Sequence, residues 1–184
     1  MPNERDTIKF SAEVLNGHKV EKLLNELPQK IRGRIMREAF KQAVKPIKQT
    51  MKQEVPKLMP QRTNDPRPKD ETLRMLRTSV TSVIRTYRTT GITFAAVGPR
   101  RGKQAKGYHA GTRLDKIAIA INEGWKQRNS FVNRTQMYAK RNFPNLLGRQ
   151  LNPAIEKEAA RLAKRYATNK LTSSERDVYM RGLL

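Results

Sequence analysis

The chain has 184 residues and carries 39 Lys and Arg against 16 Asp and Glu, a formal net charge of +23. It has no cysteine, and its two histidines, His18 and His109, stand far apart; disulfide scaffolds, thiol chemistry, Cys-based zinc sites and a His-built metal centre are excluded. No run approaches the ~20 apolar residues of a membrane span, and the opening MPNERDTIKF holds acids and no apolar core, unlike a secretory signal. These observations predict a single soluble, intracellular domain over residues 1–184, with its core at 7–167 and a tail at 168–184. A hydrophobic share of 36% makes the core modest. A body of one charge sign attracts polyanions, and nucleic acid, acidic protein surfaces and anionic membranes all qualify.

Ile8 and Phe10 alternate with Lys9 and Ser11, which predicts a short strand. Val20, Leu23, Leu24 and Leu27 have helical spacing, interrupted by Pro28. From Pro28 a longer helix runs to about residue 53, with Ile31, Ile35, Met36, Ala39, Phe40, Ala43, Val44, Ile47 and Met51 as its apolar stripe. Its other face carries Arg32, Arg34, Arg37, Lys41, Lys45, Lys48 and Lys52, a solvated surface or a contact surface. Pro46 inside the pattern is expected to kink or split it. Residues 56–71 hold four prolines and read as an extended loop.

TLRMLRTSV, with Thr72 as N-cap, predicts a short helix or turn. Alternation from Thr81 to Arg88, a turn at Thr90 and Gly91, and the β-branched run from Ile92 to Val97 predict a hairpin. Residues 99–116 read as a flexible basic loop, with Arg100, Arg101, Lys103, Lys106, Arg113 and Lys116 spaced by glycines and opposed only by Asp115. IAIAINEGW at 117–125 fits a buried strand or a helix start equally. Residues 126–150 read as a polar, basic extended loop with scattered anchors. Asn152 as cap and Pro153 in the first position open a closing helix to residue 167, striped by Ile155, Ala159, Leu162, Ala163 and Tyr166. In the tail, Val178, Tyr179, Met180, Leu183 and Leu184 offer an apolar end for a neighbour. The fold class is therefore α+β: a small antiparallel sheet packed against a long N-terminal helix and a C-terminal helix, with long basic loops.

No phosphate-binding glycine fingerprint follows a strand, and acids are scarce where the chain is most basic. Asp115 with Glu123 is a poor carboxylate pair, and Glu123 reads equally as a partner for an Arg or a helix end. His109 beside Tyr108 is a phosphate contact or a polar loop residue. Trp125 is a base-stacking ring or a core or interface anchor. Catalysis and cofactors are not expected. Arg100, Arg101, Lys103, Lys106 and Arg113 are the candidate contacts, either to nucleic-acid phosphates or to an acidic protein neighbour. Trp125, Phe131, Tyr138, Phe143 and Leu146 are the candidate interface anchors. Nothing indicates sequence-specific recognition of bases.

The order of motifs resembles a known family. A leucine-rich helix leads to a proline at Pro56; Leu73, Arg74 and Ser79 fit the Leu-Arg and Ser of a short turn; a strand pair ends in VGPR; Glu123 and Gly124 form an acid–glycine step; and Leu151, Asn152, Pro153 and Ala154 open the closing helix. This order, over most of residues 18–166, is similar to that of the head–tail joining, or tail-completion, proteins of tailed bacteriophage necks. Trp125 and Asn122 depart from the family's usual residues, and the segments 99–116 and 126–142 are longer than usual. The resemblance implies a structural virion protein, made in the host cytoplasm, acting in a homo-oligomeric ring of six or twelve copies. Its partners would be a portal-side adaptor and tail terminator or tail-tube proteins, with DNA crossing the channel without sequence specificity and no membrane. The rival readings are a non-specific basic nucleic-acid-binding protein and, less well supported by the residues, a basic enzyme of phage replication.

Overall fold

The computed structural model describes residues 8–10, 18–55, 69–87, 92–100, 102–105, 111–124 and 131–183. Along the chain these form β1 (Ile8–Phe10), α1 (His18–Glu26), α2 (Gln29–Glu54), α3 (Lys69–Ser79), β2 (Val80–Thr86), β3 (Thr93–Pro99), α4 (Leu114–Gly124), α5 (Phe131–Ala167) and α6 (Ser173–Met180). The chain is α+β. β2 and β3 make an antiparallel hairpin closed by Tyr87 N–H on the Ile92 carbonyl at 2.9 Å, and the sheet order is β1-β3-β2. Among the described residues no helix is long and apolar enough to cross a membrane.

The helix stripe read from the sequence is the buried face of α2: Ile31, Ile35, Ala39, Phe40, Ala43, Val44, Ile47 and Met51 are all buried. The Pro28 carbonyl accepts the first free N–H groups, from Ile31 and Arg32. Pro46 does not split α2 into two helices, contrary to one expectation. It removes one backbone bond, but buried Val44 and Ile47 flank it and continue the apolar face. Helix α3 begins at Lys69, so residues 69–71 leave the expected loop, and Thr72 is a buried residue within the helix rather than its cap. The 117–125 ambiguity resolves to helix: α4 spans Leu114–Gly124 and packs against α3.

The largest departure is α5. Residues 131–150, expected as loop, form the first half of a 37-residue helix that passes through Asn152 and Pro153 without restarting. Its buried positions are Phe131, Thr135, Ala139, Phe143, Leu147, Leu151, Ala154, Glu158 and Leu162. The first six recur every four residues, and at about 100° per residue each step overshoots a full turn by about 40°. The buried line thus winds round the helix, so no single 3.6-residue stripe is visible. Pro144 and Pro153 free the carbonyls of Lys140 and Arg149, which are exposed residues whose backbone water can satisfy.

The chain gathers into two compact units, one of Met1–Phe10, Lys45–Val83 and Ala96–Arg141, the other of Ser11–Val44, Ile84–Ala95 and Asn142–Leu184. α2, β2, β3 and α5 each contribute a part to both. Helices of 26 and 37 residues are about 39 and 55 Å long.

Candidate functional site

In the first unit a cleft of about 650 Å³ is lined by Lys48, Lys52, Thr78, Ser79, Val80, Thr81, Arg100, Gly102 and Lys103. Lys48 and Lys52 are one helical turn apart on α2, hence on one face. The end of α3 supplies Thr78 and Ser79, and β2 starts immediately after. Arg100 N–H donates to the Ser79 carbonyl at 2.9 Å, fixing the exit of β3 beside the entry of β2. Gly102 then turns the chain at φ +76°, a left-handed conformation that suits glycine.

The stem of the basic segment is ordered rather than sprawling. Gln104 and Arg113 form an antiparallel bridge, Ala105 N–H donates to the Thr112 carbonyl at 2.8 Å, and Leu114 N–H donates to the Lys103 carbonyl at 2.8 Å. Ala105 is buried, and the segment's end from Leu114 onward is already α4. The hydroxyls of Thr78 and Ser79 donate back to the helix carbonyls of Met75 and Leu76, at 2.9 and 2.8 Å. Their protons are therefore spent within α3. Lys48, Lys52, Arg100 and Lys103 are left as the cleft's cationic donors. Among the described residues no carboxylate lines the cleft and none forms an ion pair with these four. Four positive charges around one concavity raise the local potential and favour an anion, above all one with several phosphates.

Of the five basic contacts expected from the sequence, the cleft unites Arg100 and Lys103. Arg113 is instead engaged by its neighbour Asp115, whose carboxylate is buried and takes two guanidinium bonds. Arg101 and Lys106 lie outside the described residues, as do Tyr108, His109 and Trp125. Phe131 and Phe143 are not interface anchors: at 0% and 1% exposure both are core, and Phe143 meets Phe40 edge to face with ring centroids 5.3 Å apart. They were misread because residues 131–150 were expected to be a loop, whose apolar residues need an outside partner, whereas a helix buries them. Tyr138 and Leu146 are half-buried on α5. Sequence reading missed Lys48 and Lys52 as site residues. Their spacing marks one helix face, but nothing local links that face to Arg100, some fifty residues on.

The second unit treats its charges differently. Arg34 of α2 and Arg161 and Arg165 of α5 surround the buried carboxylates of Glu158 and Glu175. Glu175, on α6, accepts from Arg34 at 3.0 Å, Arg161 at 2.8 Å and Arg165 at 3.0 Å, and from the backbone N–H and hydroxyl of Thr172 at 3.1 Å. Burial pushes its carboxyl up, but the Arg161 and Thr172 hydrogen bonds and the Arg161 charge outweigh this and hold it at about 2. The bond to Glu158 raises Arg161 above its ordinary value. The expected apolar tail is thus partly spoken for: α6 folds back on its own unit, with Val178 buried and Tyr179 stacked on Tyr166 at 4.7 Å.

Asp115 and Glu123 share α4, but Asp115 is committed to Arg113. Among the described residues no three His, Asp or Glu side chains converge on a common point. No family model, curated protein or solved structure matches the chain.

Proposed function

We propose that this chain is a structural subunit of a tailed-bacteriophage neck, joining a filled head to a tail within a homo-oligomeric ring through which DNA passes. The observation that carries the reading is the order of elements. The motifs that resemble the joining family fall on a long α2, the short α3, a hairpin ending at Pro99, the last turn of α4 and the second half of α5, in the order the resemblance implies. The cleft suits the same role, because Lys48, Lys52, Arg100 and Lys103, which meet no acid among the described residues, can hold phosphates without reading bases. Portal-side and tail-side proteins would be the other neighbours, and no reaction is required of the chain.

The cleft by itself also favours a second reading, a nucleic-acid-binding protein that works alone. Electron microscopy of the purified chain, paired with duplex DNA binding across a salt series, separates the two. Rings with a central opening and modest, base-independent DNA affinity support the neck role. A chain that stays monomeric yet binds duplex tightly, with a steep fall in log affinity against log salt, overturns it for the second reading. Turnover of a substrate by the isolated chain overturns both.

A further inference from the structure

We infer that the arginine cradle formed by Arg34, Arg161 and Arg165 is a docking site for α6 of a second copy of this chain, the copies in an assembly exchanging this helix head to tail. The inference rests on the ring reading. Without Glu175 the cradle would hold three guanidinium groups against the single carboxylate of Glu158. Three guanidinium groups, each about two-thirds buried, against one acid favour an incoming carboxylate. α6 supplies it, and its hold is narrow: only Glu175 and Val178 of its eight residues are buried. Tyr179 adds a stack on Tyr166, and those rings remain 37% and 46% exposed. None of these three contacts involves the connecting residues 168–171, so α6 of a neighbour reproduces each one.

What separates the closed from the exchanged form is the reversal after α5. Lys170 N–H donates to the Arg165 carbonyl and Asn169 N–H to the Tyr166 carbonyl, both at 2.9 Å, with Asn169 in the left-handed region at φ 51°. Rotating Asn169 out of that region straightens the connection, and the five residues 168–172, fully extended, reach about 17 Å. Within one chain α6 docks at a high effective concentration, on the order of millimolar for a short tether. Exchange competes only where copies are held side by side, as a ring holds them, and a head-to-tail exchange that closes is a ring contact.

The chain has no cysteine, so an introduced pair reports cleanly. Full-length Tyr166→Cys and Tyr179→Cys variants are oxidised separately and as a mixture, beside the double variant. The expected result is a bond within one chain in the dilute double variant, and a covalent dimer joining the two different single variants in the assembled mixture. Adding Glu175→Arg to the Tyr179→Cys chain should abolish that dimer. Rings without an interchain bond overturn the exchange alone; neither rings nor bond overturns it together with the ring reading. A second measurement needs no disulfide: Glu175→Arg is mixed with Arg161→Glu/Arg165→Glu. Exchange requires assembly, read by light scattering, to return in the mixture when each variant alone has lost it. No recovery overturns the inference.

Discussion

The open cleft of the first unit and the arginine cradle of the second use the same residue types in opposite ways. In the first, Lys48, Lys52, Arg100 and Lys103 stand round an open cleft with no described carboxylate beside them. In the second, three arginines close on two buried glutamates, and the charge is consumed internally. A net charge of +23 therefore says less than where the acids sit. Unpaired cations in a concavity are held ready for an outside anion, whereas arginines matched to buried carboxylates fix the position of a helix.

The sharpest way to break this contrast is to neutralise the cleft. Lys48→Ala, Lys52→Ala, Arg100→Ala and Lys103→Ala together should lower duplex DNA affinity about a hundredfold or more at 0.1 M salt. The log–log salt slope should fall by about 3 to 4, read by fluorescence anisotropy. Folding stability should stay within about 0.5 kcal/mol per site, as for surface changes. An unchanged slope would mean the cleft meets no phosphate.

Next in size is Glu175→Gln, which leaves Arg165 without an acid and Arg34 and Arg161 sharing Glu158. Because those arginines keep about a third of their surface wet, the cost should be about 2 kcal/mol rather than the 3–5 of a fully buried pair. The same carboxylate sets an acid limb. Its folded value near 2 lies below the ordinary 4.5, so its contribution is whole above about pH 4.5 and is lost as pH falls towards 2. Urea unfolding at stepped pH should show wild type and Glu175→Gln converging over that window. Parallel curves would deny the network its role.

Smaller still, Asn169→Ala should cost about 1 kcal/mol, since alanine tolerates the left-handed region poorly. The smallest effect belongs to Lys157→Ala. Lys157 bonds Glu38 and, with Gln42, lowers its carboxyl, but the lysine is 67% exposed. Its removal should move the urea midpoint by less than about 0.5 kcal/mol equivalent.

The elements with local signals were legible in the sequence. α2 shows a 3.6-residue stripe, and the strands of the hairpin show β-branched alternation. The second half of α5 was readable too, though with a false start at Asn152, where a cap-like residue before proline sits in mid-helix. Its first half was hidden by the four-residue recurrence of Phe131, Thr135, Ala139 and Phe143 and by Pro144. α6 did carry a signal, Thr172 three residues before Glu175, the pattern of a capping box. In the cleft, Arg100 and Lys103 were found because they cluster in sequence; Lys48 and Lys52 join them only through tertiary packing.

The Gln104–Arg113 bridge has a practical meaning. With the Leu114 N–H bond to the Lys103 carbonyl, it ties the cleft's Lys103 to the start of α4, so a change that loosens this backbone pairing moves a cleft cation as well.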